Sequence, residues 1–356
     1  MHNFLTRRRC LLAVASAAAV TVSHWAHAQT PDAAGAQIAQ MERPDRETVL
    51  AEGARKEGEV SVYTSLTAEE IGALAAAFEQ RYGVKVKPWR SGSENILRRV
   101  VTEARARRQD VDVVETNGPE LETLVRENLL HPLRSAHQRD LLAQAVQPHG
   151  RWLGSRINLF VQAWNTRLLA RDELPRSYAD LTNPKWKGKL GIEAEDADWF
   201  MTAVKDLGEE RGLRTFREIA QVNGFSVRKG HTLLAGLVSS GEIPFALTVY
   251  GHGVEKLKEK GAPIDWYAIE PAIGRANGVG IARGSLHPHA AALFVDFLLS
   301  PEGQGILAKG GYVPSNTKVP HRAHQQPLKF VDPRAMLDEG EKWQGLYQQI
   351  VVKAAR

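Results

Sequence analysis

The feature that most restricts how this chain can fold is a strand-then-helix alternation that sets in near Gly58. Glu59-Val60-Ser61-Val62-Tyr63 alternates with the period of a strand. Thr67-Ala68-Glu69-Glu70 has the form of a capping box, and Ile71, Leu74, Ala75, Phe78 and Tyr82 behind it fall on one helical face before Gly83 closes the helix. A strand over Val84 to Trp89 follows, then a helix carrying Leu97, Val100, Val101 and Ala104. Val111-Asp112-Val113-Val114 makes a third strand, with Pro119 suited to the first turn of the next helix. Strands and helices alternating through short turns predict an α/β protein, its sheet mainly parallel and covered on both faces.

In such a sheet, ligands bind beyond the C-terminal strand ends, where loops feed helix N-termini. Three turns occupy those places: Thr64-Ser65, Ser91-Gly92-Ser93 and Thr116-Asn117-Gly118. Each combines hydroxyl or amide side chains with helix-start backbone donors, which suits an anionic or polar ligand. Ser, Thr and Asn also make caps and turns everywhere. Their succession along one sheet edge is what marks Thr64, Ser65, Ser91, Ser93 and Asn117 as candidate contacts.

At 356 residues the chain exceeds one ordinary core, and two lobes fit it better. The second lobe is expected to begin near Trp164-Asn165-Thr166, after the apolar strand Ile157 to Ala163. Leu190-Gly191-Ile192, Phe245 to Tyr250 and Asp265 to Ile269 read as its strands, with helices to about Lys205, over 212–223 and over 229–240. Gly278 to Ala282 then returns the chain to the first lobe, and two crossings permit hinge closure. The expected division is 58–162 for the first part of lobe 1, 163–277 for lobe 2, 278–325 for the return and 326–356 for a C-terminal helical segment.

The N-terminus reads as an export signal. Arg7, Arg8 and Arg9 precede an Ala-rich apolar stretch from Leu11 to Val22, and Ala26-His27-Ala28 offers a small-x-small cleavage site. The run also resembles a twin-arginine signal, with Cys10 and Leu12 departing from that pattern. Residues 1–28 are therefore assigned to a signal peptide and 29–57 to a flexible leader and a short helix, which places the mature protein in the periplasm. Removing the signal takes away three arginines and no acid, lowering the net charge from +5 to +2 and leaving no case for nucleic acid. The only cysteine, Cys10, leaves with it, so no Cys-ligated metal or thiol chemistry is expected.

Four segments then carry a family resemblance. They are Trp164-Asn165-Thr166, the run Ser177-Tyr178-Ala179-Asp180-Leu181-Thr182-Asn183-Pro184-Lys185-Trp186-Lys187-Gly188-Lys189, Ser239-Ser240-Gly241-Glu242-Ile243, and the helix from Ala290 to Gln304 that ends Leu298-Leu299-Ser300-Pro301-Glu302-Gly303-Gln304. From about Gly58 to Val319 the chain resembles the extracellular solute-binding proteins that include ferric-ion and polyamine receptors. The resemblance implies a two-lobed type II periplasmic binding fold, each lobe a mainly parallel sheet flanked by helices. It also implies a receptor, monomeric in solution, that passes a small solute to an ABC permease. Ferric receptors of that family use neighbouring tyrosines after the strand that follows the Gly-Glu turn. Here the stretch reads Thr248-Val249-Tyr250-Gly251-His252, with Thr67 and Asn117 where an iron site would want stronger ligands. Iron is therefore not the expected solute.

Opposite the hydroxyl turns, Glu193, Glu195, Asp196 and Asp198 sit beside Trp199. Glu195 and Trp199 are candidates to hold an ammonium group by charge and cation–π contact, with Tyr250 nearby. The same acids also suit a solvated loop entering a helix N-terminus. Arg275 belongs either at the cleft mouth or on the hinge surface. His231, His252 and Glu195 lack the spacing of a metal site, and no Gly-x-Ser-x-Gly elbow, thiol nucleophile or P-loop is present, so neither a metal, a cofactor nor a catalytic residue is assigned. The sequence thus reads as a receptor for a small anionic or zwitterionic solute. A polyamine or metal-ion receptor, and a periplasmic enzyme on the same fold, are the alternatives.

Overall fold

A computed structural model describes residues 31–108 and 110–353, so the signal-peptide reading of residues 1–28 lies outside the described residues. Helices α1 (Pro31–Ala39) and α2 (Arg46–Glu57) come first. The alternation then runs β1 (Glu59–Thr64), α3 (Ala68–Tyr82), β2 (Lys85–Arg90), α4 (Ser93–Arg105), β3 (Val113–Asn117) and α5 (Gly118–Arg126). A 13-residue strand, β4 (Leu153–Asn165), leads to β5 (Leu190–Glu193), α6 (Ala197–Leu207), α7 (Glu209–Val222), β6 (Ser226–Arg228) and α8 (His231–Ser240). After these come β7 (Phe245–Tyr250), α9 (Gly251–Glu259), β8 (Ile264–Tyr267) and β9 (Ala272–Ile281). The chain continues through α10 (Pro288–Leu299), α11 (Pro301–Lys309), β10 (Val313–Pro314), β11 (Leu328–Phe330) and α12 (Pro333–Tyr347). Among the described residues no helix is long and apolar enough to cross a membrane.

The strands hydrogen-bond in the order β2-β1-β3-β9-β4-β7-β5-β6. β1 is parallel to β2 and β3, and β5 is parallel to β6 and β7. Between these two groups lie β4 and β9, antiparallel to each other and to β7 and β3 respectively. The expected parallel sheets are therefore present, one in each lobe, and an antiparallel pair joins them. Each group is covered on both faces. Around β1 and β3 one core holds Phe78, Phe294 and Phe297, and another holds Ile96, Leu121 and Trp152. Around β5 and β7 one core holds Trp199, Phe216 and Trp343, and another holds Leu234, Val238 and Val254. The strands are buried on both sides because amphipathic helices supply an apolar face to each.

Three local expectations change. The leader is not free chain: α1 seats Ala39 in the first-lobe core, and Asp32 pairs with Arg283. Small alanines let that helix lie close against α10, which offsets its weak amphipathicity. The capping box closes on one side only: Thr67 Oγ1 accepts from the Glu70 N–H, while the Glu70 carboxylate turns to Lys256 at 2.6 Å. Finally, α10 is buried all round from Ala290 to Leu299 instead of along a stripe, because α1 and α2 cover the side away from the sheet.

Candidate ligand-binding cleft

The two crossing strands carry the same polar-apolar-polar pattern, Arg156-Ile157-Asn158 on β4 and Arg275-Ala276-Asn277 on β9. Antiparallel register places Arg156 opposite Asn277 and Asn158 opposite Arg275. Because strand side chains alternate faces, all four point to one side, where Asn158 Nδ2 donates to Asn277 Oδ1 at 2.9 Å and Arg156 donates to Asn158 Oδ1 at 3.2 Å. Burying such groups is tolerable only when they bond one another. The Arg156 Nε is nonetheless buried with no partner, and its guanidinium lies 4.7 Å over the Tyr312 ring.

This ladder reaches the first-lobe turns. Ser65 Oγ accepts from Arg156 Nη2 at 3.2 Å and from Asn277 Nδ2 at 3.3 Å, and Asn117 Oδ1 accepts from Asn277 Nδ2 at 3.0 Å. With both its lone pairs engaged, the Ser65 hydroxyl keeps its proton for a further acceptor. Ser91 accepts from Asn95, and Ser93 is the first residue of α4. α4 has no side-chain cap, so its leading N–H groups stay open, whereas in α5 Pro119 has no N–H and the Glu120 carboxylate takes its own backbone N–H. Thr64 is different. Fully buried, it donates to Glu115 Oε2 at 2.7 Å and accepts from the Leu66 N–H, so its role is to hold the turn.

On the second lobe the acidic residues divide by one or two positions of chain. Glu195 is exposed and pairs with Lys229 at 2.6 Å. Glu193, Asp196 and Asp198 are buried. Arg275 grips Asp198 through two hydrogen bonds, at 2.5 and 2.8 Å, and lies 3.6 Å from Asp196, so it is an interior hinge charge and not a surface one. Burial works against the guanidinium, but the Asp198 charge holds its pKa well above the ordinary value. Trp199 does not face the cleft: it is fully buried against Tyr178 and Phe216. Since α6 begins at Ala197, Asp198 turns to the hinge and its neighbour, about 100° further round, turns to the core.

Tyr250 ends β7 and packs at a tilt against His231, their ring centroids 3.8 Å apart, with His252 stacked at 5.5 Å and Phe160 at 5.3 Å. Burial first, and then Asp196, Asp198 and Glu193, push its phenol above the ordinary range. His252 packs at 4.4 Å on Tyr312, and burial together with Arg156 pulls its pKa down to about 3. Besides Ser65, Asn117 and Tyr250, the cleft thus contains Arg156, Asn158, Asn277, Glu193, Asp196 and His231. An Arg-x-Asn repeat on the two crossing strands is the signal in the sequence that could have found three of these, Arg156, Asn158 and Asn277.

Two lobes, two crossing strands and a polar cleft at the strand ends define a solute-binding protein of the type II periplasmic kind. The chain belongs to the family described as bacterial extracellular solute-binding protein, whose model matches residues 111–338. It is similar to the Fe(3+)-binding periplasmic protein of Serratia marcescens, at 24% identity over 266 residues, covering 72% of this chain and 78% of that one. In fold it matches iron-bound HitA from Pseudomonas aeruginosa, with a TM-score of 0.71 and 23% identity over 82% of this chain and 99% of the other. It also matches the periplasmic binding protein AfuA from Actinobacillus pleuropneumoniae with fructose-6-phosphate bound, with a TM-score of 0.69 and 23% identity over 83% and 99%. This is a family of solute-binding transport proteins and not of enzymes.

Proposed function

We propose that this receptor works in the periplasm, captures a small solute carrying an anionic group, and delivers it unchanged to an ABC permease. The observation that carries the anion is the composition of the first-lobe wall. The Ser65 proton, the unpartnered Arg156 Nε and the uncapped start of α4 are all donors. Donors held in place by a buried network lose little freedom when an oxyanion arrives. AfuA, whose fold this chain shares, has been seen with fructose-6-phosphate bound, an anion of that kind. Titration calorimetry of the mature protein with glucose 6-phosphate, ethylphosphonate and butyrate tests the reading. Saturable binding without turnover is expected, and binding of none of them sinks the anion.

Iron, named for the Serratia relative, suits this cleft less well. A tyrosine ligates ferric iron as the phenolate, and β7 ends on a single tyrosine whose phenol is pushed upward by burial and by neighbouring carboxylates. Equimolar ferric citrate should leave the protein colourless. A visible charge-transfer band lost in Tyr250→Phe would reverse this.

A further inference from the structure

The second-lobe wall holds more negative charge than its partners neutralise. Arg275 occupies both oxygens of Asp198, which leaves Glu193 and Asp196 facing only His231 and the far edge of that guanidinium. Asp196 is 1% exposed and Glu193 3%. Both Glu193 oxygens accept backbone N–H groups, from Gly230 and Glu195. Asp196 Oδ2 and His231 Nδ1, by contrast, are buried and have no partner at all. His231 Nε2 lies 3.3 Å from Asp196 Oδ1, an ion-pair separation without a hydrogen bond, and in the tautomer that carries its proton on Nε2 the Nδ1 is a bare acceptor. Two buried acceptors without a donor, in one corner of a ligand cleft, call for a donor from the solute.

We propose that Glu193, Asp196 and His231 hold a primary ammonium group of the solute. The inference rests on the cleft reading above and adds the other end of the molecule, making the solute an amino-bearing anion. Acceptor atoms of the three residues all lie within 4.8 Å of one another. Three acceptors hydrogen-bonded to one ammonium at about 2.9 Å stand roughly 4.7 Å apart. A first-row divalent ion, bound at about 2.0–2.2 Å, draws its ligands to roughly 3.0–3.5 Å. His231 Nε2 and Asp196 Oδ1 also meet that spacing, at 3.3 Å, so charge and not separation decides between the two. Arg275, 3.6 Å from Asp196, repels a doubly charged ion more than a singly charged one. Phe160 and Tyr250 pack beside His231 in this corner, and the Arg275 guanidinium already lies over both rings at 5.0 and 5.9 Å. Burial and the Asp196 charge push the Glu193 carboxyl upward, and a bound ammonium offsets both.

Matched pairs test this by calorimetry on the mature protein: γ-aminobutyrate against butyrate, 2-aminoethylphosphonate against ethylphosphonate, and glucosamine 6-phosphate against glucose 6-phosphate. In the pair that fits, the amino member should bind roughly tenfold or more tightly than its partner. Asp196→Asn, nearly isosteric, and independently His231→Ala should bring that ratio toward one. Equal affinity within every pair that binds overturns the ammonium assignment while sparing the anion reading. A ratio unchanged in both variants also overturns it, as does stoichiometric binding of ZnCl2 that is lost in Asp196→Asn. Failure of all six compounds defeats the cleft reading, and the inference with it.

Discussion

Arg275 and Asp198 are joined by two hydrogen bonds, at 2.5 and 2.8 Å, between the strand that returns to the first lobe and the helix that opens the second-lobe wall. The geometry matches the planar fork of a guanidinium to a carboxylate, which a lysine cannot reproduce. Arg275→Met leaves Asp198 and Asp196 buried without their cation. Removing one partner of a buried pair costs about 3–5 kcal/mol. Urea unfolding at pH 7 should register a loss in that range, with Arg275→Lys intermediate. A loss in Arg275→Met below about 1 kcal/mol would mean that water, and not Arg275, compensates Asp198.

Glu120, on the first turn of α5, faces the same hinge charges. Its Oε2 is shut away from solvent without a partner, and burial, against the pull of Arg275, pushes its pKa up to about 7. A carboxyl whose folded pKa lies above its unfolded value favours the fold while protonated. Its contribution is full below about pH 4.5 and falls away as pH rises to about 7. The loss is up to about 3 kcal/mol across that window. Glu120→Gln should therefore be more stable than wild type at pH 8 and nearly equal to it at pH 4.5. Parallel stability curves for the two proteins would rule the shift out.

Much of this architecture was legible before any coordinates, and the reasons are local. The helix face of Ile71, Leu74 and Phe78 and the strand Val60 to Tyr63 follow from periodicity, because each buries one face against a neighbour. What could not be read is phase and long-range pairing. Whether Glu195, Asp196 or Asp198 enters the cleft depends on where α6 begins, and a shift of one residue turns a side chain by about 100°. Glu70 has the spacing of a capping residue, yet a lysine 186 positions away claims it. The Arg-x-Asn repeat was visible in the sequence, but only register shows that each arginine faces the other strand's asparagine.

That lysine makes a prediction of its own. Lys256 on α9 bonds Glu70 on α3 at 2.6 Å, so one ion pair ties the second lobe to the first. Burial lowers the Lys256 pKa, but Glu70 outweighs it and the net shift is upward. Lys256→Met should favour separated lobes by about 1–3 kcal/mol, since Glu70 stays buried and loses its partner. In small-angle scattering the ligand-free variant should have a larger radius of gyration than wild type, and saturating solute should narrow the gap. Identical curves would mean that the pair does not control closure.

The most exacting test of the first-lobe wall is Ser65. Its oxygen takes hydrogen bonds from Arg156 and Asn277, and those bonds aim its own proton away from the ladder. Ser65→Ala removes one ligand donor and strips an acceptor from two buried donors at once, although Arg156 and Asn277 keep other partners in Asn158 and Asn117. A lost charge-assisted hydrogen bond to the solute costs about 1.5–3 kcal/mol, or roughly ten- to a hundredfold in affinity. Fold stability should suffer less, by about 1 kcal/mol. Ser93→Ala removes a hydroxyl beside a helix start whose backbone donors remain, so it should weaken affinity by no more than roughly fivefold. Calorimetry and urea unfolding on the two variants separate these effects. If Ser93→Ala costs more affinity than Ser65→Ala, the anion sits on α4 and the crossing strands only support the wall.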